Sequence, residues 1–424
     1  MNELLLKNAR IIDPLRNIDE IGDIAIADGK ITDKESLKAP EVIDLTGKVL
    51  SPGFIDIHVH LRQPGNTTAE TIASGTAAAA AGGFTSVVAM PNTNPAADTA
   101  GAIEYVKRIA SEQGKVKVLV CGNMTKGGKG EEMAGIGSLK TAGVVALSDD
   151  GKCIQDHSLM KHVVEYAKSF DLPILDHCEE NTLAAGGVMN EGKWSVLLGI
   201  NGMNSASEEL IIARNILFAK QVNWPIHMQH VSTREGVDML RRARAAGIPV
   251  TGEATPHHLT LTDECVKKFD TNYKMNPPLR SEEDRQALIA GVADGTITVI
   301  ATDHAPHSAT AKQVEFDHAP FGIVGLETAF PICFTELVER GIISIPQLIA
   351  KLTVGPAEVL RMENYSLAIG NPADITVFDP EAEYVIDKEK FYSKSRNTPF
   401  DGMTVKGKIN LTVVDGKIAY RGGC

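Results

Sequence analysis

FIDIHVHLRQPGNTTAETIASGTAAAAAGGFTSVVAMPN, residues 54–92, carries one complete unit of the fold. An apolar run, Phe54–Ile57, is followed by a polar stretch and then by AETIASGTAAAAAGG (69–83). The second segment reads as a helix. Its alanines suit close packing on a sheet, and Gly82-Gly83 is a natural helix stop. A second apolar run follows at Thr85–Ala89. A strand, a crossover helix and another strand make a parallel pair.

The same unit recurs outward from this stretch. Further short apolar runs fall at Lys117–Val120, Gly143–Leu147, Leu172–Leu175, Pro225–Met228, Ile248–Thr251 and Ile297–Ala301. Helical stretches such as EELIIARNILFAKQ (208–221) lie between most of them. Eight βα units predict an α/β fold, a closed (β/α)8 TIM barrel. An open doubly wound sheet would call for a G-x-G-x-x-G turn after the first strand, and none is present. The two ends differ from the middle. GDIAIADGKI (22–31) and INLTVVDGKIAYRGG (409–423) are alternating runs around the tight-turn pairs Asp28-Gly29 and Asp415-Gly416. Neither end can hold a core alone. The expectation is one small β-sandwich domain built from residues 1–52 and 365–424, with the catalytic barrel at 53–364. Two unrelated β appendages are the alternative, and the shared turn chemistry counts against them.

Composition narrows the function. A formal charge of −12 argues against nucleic acid as a main partner, because phosphate binding needs a basic surface. The apolar fraction is 43%, with no unbroken apolar run of membrane-spanning length, so no transmembrane helix is expected. The N-terminal MNELLLKNARIIDP has too short an apolar run for a signal peptide, which points to the cytoplasm. Six cysteines, at 121, 153, 178, 265, 333 and 424, form no C-x-x-C pair and read as reduced thiols. The glycine-rich TKGGKGEEMAGIG (125–137) lacks the G-K-[ST] ending of a phosphate loop and reads as the connection after strand three.

Barrel chemistry sits where strands end. Strand one runs into His58 and His60, strand two into Asn92, and strand four into Asp149 and Asp150. Strand five ends at His177 and strand six at His230. Strand seven leads to His257 and His258, and strand eight to Asp303, His304 and His307. Alternation along a strand lets His58 and His60 share a face. On strand six, alternation groups His230 with Ile226 and Met228 and turns His227 away, making His230 the ligand candidate. Cys178 turns away from His177 in the same manner. Imidazole nitrogen with some carboxylate oxygen suits zinc-like divalent ions. Each signal alone is weak: a lone strand-end histidine is more often a packed core residue, and a lone aspartate a helix cap. Together on strands one, four, five, six and eight they describe a two-metal site, with one carboxylate between the ions.

PGFIDIHVHLRQPG (52–65), MPNTNP (90–95), SDDG (148–151), DHCEE (176–180), MQHVST (228–233), EATPHH (253–258), MNPPLR (275–280) and ATDHAPH (301–307) resemble the amidohydrolase superfamily, and more narrowly class I dihydroorotases. The resemblance spans nearly the whole chain, in the family's order. It implies a hydrolase of cyclic amide C–N bonds that interconverts dihydroorotate and N-carbamoyl-L-aspartate in pyrimidine biosynthesis. It implies two Zn2+ per subunit: His58, His60 and Asp303 on one, His177 and His230 on the other, with Asp150 and a hydroxide bridging. Arg62 and Asn92 would take the substrate carboxylate. His60, Asn276, His307, Phe321 and Gly322 would complete the substrate contacts, and Asp303 would be the catalytic proton carrier. Many relatives bridge their metals with a carboxylated lysine on strand four. GVVALSDDG (143–151) offers none, which favours the class I assignment. An allantoinase, a hydantoinase or dihydropyrimidinase, and an inactive structural partner of aspartate carbamoyltransferase are the competing readings; the last loses metal ligands, which are all present here. A homodimer and an association of the active enzyme with that transferase both stay open. HSATAKQVEFDHAPFG (307–322) borders the site as a lid or as an ordinary loop.

Overall fold

The computed structural model describes residues 3–422, which exclude Cys424; the five cysteines within this range are free thiols. Strands β1 (Leu4–Asp13), β2 (Ile18–Ala27), β3 (Lys30–Thr32), β4 (Glu41–Asp44) and β5 (Val49–Pro52) come first. The barrel follows: β6 (Phe54–Val59), β7 (Phe84–Ala89), β8 (Lys117–Gly122), β9 (Ala146–Leu147) and β10 (Ile174–Asp176). A short ribbon, β11 (Met189–Asn190) and β12 (Gly202–Met203), is inserted before β13 (Ile226–Met228), β14 (Val250–Ala254) and β15 (Val299–Ile300). The chain ends with β16 (Ile375–Val385), β17 (Thr404–Val414) and β18 (Lys417–Arg421).

The eight barrel strands pair in parallel in the order β15-β14-β13-β10-β9-β8-β7-β6. All eight expected runs are there, with shorter strands at the fourth and eighth positions. No continuous ladder joins β6 to β15. Closure is made by a parallel bridge between Val59 and His304, by His60 N donating to His304 O at 2.9 Å, and by Thr302 N donating to the Asp56 carboxylate at 3.3 Å. Among the described residues no helix is long and apolar enough to cross a membrane.

The terminal strands form one continuous sheet, β18-β17-β16-β5-β1-β2-β3, with β4 branching from β1. Its two ends curl together over a shared core that includes Leu6, Ile26, Leu50, Ile375, Leu411 and Val413. The two turns seen in sequence meet through residue 373: Ala373 N donates to Gly29 O at 2.9 Å and Gly416 N to Ala373 O at 3.0 Å. Gly416 has φ +72, and a Cβ there would lie 2.8 Å from the Gly29 Cα, so a side chain fits neither backbone nor space. Lys117 ties this sheet to the barrel through Asp374 at 2.6 Å and Asp415 at 2.7 Å.

The helix at Ile72–Ala81 starts at a Thr71/Ser74 capping box and stops at Gly82. A Cβ on Gly82 would approach Leu326 O to 2.0 Å, so the stop also permits close packing. Strand residues divide by face. Ile55, Ile57, Val88, Cys121, Leu175 and Val299 fill the barrel interior, while Phe54, Val87, Ile174, Ile226 and Met228 join the cluster shared with the surrounding helices.

Candidate metal centre at the barrel mouth

That division of faces corrects the parity argument for strand six. Ile226 and Met228 face the helices, so His227 is the inward residue, and its Nε2 pairs with Glu253 at 3.0 Å. His230 reaches the site because the chain leaves β13 and turns at a backbone φ of +31. Strand one is similar. Ile55 and Ile57 point inward, and strict alternation would send His58 outward. The pairing of β6 with β7 slips between Asp56 and Val59, and the Asp56 carboxylate accepts His58 N at 3.0 Å. This bulge reverses the alternation and brings His58 and His60 to the lumen. Arg62 (φ +56) and Asp303 (φ +48) also sit in the left-handed region. Three strand-end side chains are thus aimed by turns that non-glycine residues adopt at some cost.

The side chains converge tightly. His58 Nε2 lies 3.2 Å from Asp150 Oδ1 and 3.5 Å from Asp303 Oδ1. His60 Nε2 lies 3.0 Å from Asp303 Oδ1 and 3.4 Å from Asp150 Oδ2. His177 Nδ1 faces His230 Nε2 at 2.8 Å and Asp150 Oδ1 at 3.9 Å. His58 is wholly buried and Asp150 is 5% exposed, so the charges meet with little water between them. Burial works against ionisation of Asp150, but His58, His60 and His177 outweigh it and hold the carboxyl well below its usual range. Burial also opposes a charge on His58, yet Asp303, Asp150 and Glu253 push it well above the ordinary imidazole value. Burial, reinforced by His177 and His58, drives His230 far down.

The donor set fits divalent ions. Among the described residues, three groups place their ligand atoms within 4.8 Å of one another: His58, His60 and Asp150; Asp150, His177 and His230; His58, His230 and Asp303. Asp150 belongs to two of them. Buried His58 Nε2, His177 Nε2 and His230 Nδ1 have no hydrogen-bond partner among the described residues, which is costly for polar atoms unless something else engages that ring. Four imidazoles and two carboxylates are the nitrogen and oxygen mixture that borderline cations favour.

The fold separates the two neighbouring aspartates and puts Asp150, the one the resemblance implied, at the site. Asp149 turns away and accepts from Asn123 Nδ2 at 3.0 Å, Met124 N at 2.9 Å and the Thr125 hydroxyl, fixing the loop after β8. Asp150 faces the imidazoles and accepts from Asn92 Nδ2 at 3.1 Å. Asn92 Oδ1 in turn pairs with His60 Nδ1 at 2.9 Å.

Above the cluster opens a cavity of about 360 Å³. His60, Asp150, His177, His230 and Asp303 form its floor, and Arg62, Asn92, Asn276, His307, Phe321 and Gly322 line its wall. The residues that the resemblance assigns to the site all lie on this cavity except His58, which is buried beneath it. His257, His258 and His304, grouped with the rim by sequence, are elsewhere. His258 Nε2 donates to Pro277 O at 3.0 Å, and His304 pairs with Glu70 at 3.3 Å. Cys178 is buried behind the site, near Asn215.

Sequence reasoning missed Glu253. Its Oε1 accepts from His58 Nδ1 at 2.7 Å and from His230 N at 3.1 Å, and its Oε2 from His227 Nε2 at 3.0 Å. Burial disfavours its charge, but the His58 charge and the His227 hydrogen bond bring it down to about 2. A carboxylate behind a ligating imidazole fixes its tautomer and points the other nitrogen at the metal. A glutamate inside the buried run VTGEA (250–254) was the available signal.

Known proteins share this architecture. The family described as dihydro-orotase-like matches residues 47–236, and the amidohydrolase family matches residues 298–420. A dihydroorotase of Caldanaerobacter subterraneus subsp. tengcongensis is 49% identical over 421 residues, 99% of this chain and 97% of that protein. A dihydroorotase of Acetivibrio thermocellus is 45% identical over 99% of both chains. Among solved structures, the L-hydantoinase (dihydropyrimidinase) from Arthrobacter aurescens superposes with a TM-score of 0.90 at 26% identity, covering 100% of this chain and 97% of that one. A dihydropyrimidinase from Brevibacillus agri gives 0.86 at 23% identity, over 99% and 95% of the two chains.

Proposed function

The chain belongs to the dihydroorotase family, and on that premise we propose that it interconverts dihydroorotate and N-carbamoyl-L-aspartate, a step of pyrimidine biosynthesis, at this barrel mouth. The observation that carries the reading is the ring of buried imidazoles around Asp150, set under a cavity that also presents the Arg62 guanidinium.

His58 and His60, both close to Asp303, would hold one divalent ion with it, and His177 and His230 a second, with Asp150 shared by the two sets; Zn2+ at two per subunit suits these donors. When bound, the ions supply Lewis-acid polarisation of the ring carbonyl and make water acidic enough to ionise near neutral pH. The chain's own groups do the rest. Arg62 and Asn92 take the substrate carboxylate, the arginine through its planar fork. Burial lowers the Arg62 pKa, with Asp303 and Asp150 opposing, and the guanidinium keeps its charge. His307 donates from Nε2 to Phe321 O at 2.7 Å, fixing the wall against which the ring rests. Asn276 is braced by Glu179 at 2.7 Å. Asp303 takes the proton of the attacking water and passes it to the ring nitrogen as the C–N bond breaks. In the reverse direction the same carboxylate returns the proton as water leaves and the ring closes.

A hydantoinase-like specificity is the second reading, favoured by the 0.90 superposition on the Arthrobacter protein. Arg62 at the cavity wall discriminates, because hydantoin carries no carboxylate. The test is ring opening of dihydroorotate by metal-loaded protein, with hydantoin, dihydrouracil and allantoin in parallel and with chelator added. Chelator-sensitive preference for dihydroorotate supports the proposal, and preference for another ring refutes it. A cytoplasmic setting suits the free thiols. A second copy of the chain and aspartate carbamoyltransferase are the partners to test by size-exclusion chromatography.

A further inference from the structure

One wall of the cavity, Pro320 to Gly322, belongs to the strap that follows β15, and two buried lysines hold that strap. Lys274 is 2% exposed and Lys312 7% exposed. Lys274 precedes the Asn276 loop, and its Nζ donates to Phe316 O at 2.8 Å and Asp317 O at 2.9 Å, both on the strap. Lys312 lies on the strap, and its Nζ donates to Thr271 O at 3.0 Å, Lys274 O at 3.4 Å and Pro320 O at 2.8 Å. Each segment therefore fastens the carbonyls of the other. Thr271 Oγ1 donates to Lys312 O at 2.6 Å, and Gly322 N to Lys274 O at 2.9 Å. The Lys274 ammonium also sits 4.6 Å from the centre of the Phe321 ring.

Burying an ammonium is expensive unless its protons are engaged. Among the described residues no carboxylate forms an ion pair with either lysine, and five backbone carbonyls accept from them. Apolar side chains would fill the same space without that cost, but they could not fix the strap backbone. The outer side of the strap, including Glu315 and Asp317, is exposed, so the inner fastening decides its position. Burial and then the Lys274 charge bring Lys312 down to about 7. As ammonium it can serve all three carbonyls, and as amine two, so the fastening survives loss of the proton.

We propose that Lys274 and Lys312 are positioning residues for the reaction: a reciprocal clasp that locks the strap to the Asn276 loop, so that Asn276, Phe321 and Gly322 face the ring substrate together. Neither lysine touches the metal ligands or the cavity. The clasp acts on substrate binding through the backbone of the wall, and Gly322 has no slack to compensate. Its φ is +108, and a Cβ there would lie 2.5 Å from the Ala305 Cβ.

The inference rests on the dihydroorotase reading, and its test separates the two. Lys312→Met and Lys274→Met are loaded with zinc and compared with the unmodified protein in three ways. The KM for dihydroorotate is expected to rise on the order of ten- to hundredfold, with kcat within about threefold, because a displaced wall weakens binding. Bound metal stays unchanged. An endoproteinase specific for glutamate cuts after Glu315 in the variants while the unmodified strap resists. Unchanged KM and unchanged cleavage in folded variants overturn the clasp, and so does a parallel loss of metal. Should either methionine variant fail to fold, Thr271→Val removes one bond of the clasp and keeps both ammonium groups, and the same outcomes apply in weaker form. If the unmodified protein does not turn over dihydroorotate, the functional reading fails, and cleavage at Glu315 still decides the clasp.

Discussion

Replacing Glu253 by Gln tests whether the proposed metal centre depends on a residue outside its candidate ligands. The carboxylate receives the His58 Nδ1 proton at 2.7 Å, the His230 backbone N–H at 3.1 Å and the His227 Nε2 proton at 3.0 Å. Glutamine has the same shape and keeps one acceptor, which can stay opposite His58 and His230. Its amide then meets His227, whose ring can exchange tautomers because Nδ1 lies 2.8 Å from the Thr251 hydroxyl. The fold should survive. What is lost is the negative charge behind His58. A hydrogen bond to a charged group contributes about 1.5–3 kcal/mol and a neutral one about 0.5–1.5 kcal/mol, so the deficit at His58 is about 1–1.5 kcal/mol, close to tenfold in affinity. Poorer orientation of the ring extends the range to roughly 10–100-fold. The assay is competition for zinc against a chromogenic chelator at neutral pH, with circular dichroism to establish the fold. Weaker zinc binding, with turnover restored by excess zinc, is the expected result. Affinity within about twofold of the unmodified protein, in a folded variant, would show that Glu253 does not orient His58.

Asp303→Ala is expected to lower kcat by on the order of 10²–10⁴ at saturating metal, and near-normal turnover would remove Asp303 from proton transfer. Arg62→Gln should raise the KM for dihydroorotate by roughly ten- to hundredfold, as expected for a lost charge-assisted contact. Inhibition by dihydrouracil, which lacks the carboxylate, should change little, and an equal loss for both compounds would refute the assignment. Glu327 accepts from Tyr392 N and Ser393 N, and burial raises its pKa from 4.5 to about 7. Between about 4.5 and 7 the folded state holds more protons than the unfolded one, so stability declines as pH climbs through this window. Glu327→Gln should flatten that slope and raise stability above it by at most about 3 kcal/mol, less because the side chain keeps some exposure. Denaturant titrations across the window check this, and an unchanged slope would refute it.

The eight strand–helix units and the order of the candidate site residues along them were legible in the chain itself. A barrel strand announces itself by a short apolar run. Ligands that must point into one mouth have to stand at the ends of such runs, where H-x-H and ATDHAPH stand. The paired turns Asp28-Gly29 and Asp415-Gly416 announced a module shared by both termini for an equally local reason. The orientation of these candidate ligands was not local. Strict alternation would put His58 and His230 on the outer face, and they reach the lumen through a slipped register after Asp56 and a left-handed turn at His230. Which of two adjacent aspartates meets the histidines depends on Asn123 and Thr125, whose backbone and side chains occupy Asp149.

Glu253 finds His58 across 195 positions of chain, and Lys312 finds Thr271 across 41. Sequence determined the elements and the chemical inventory, because apolar periodicity and residue type are properties of neighbouring positions. The tertiary structure alone decided tautomer, ligand direction and the fastening of the cavity wall, because each depends on a buried donor meeting its acceptor from a distant part of the chain.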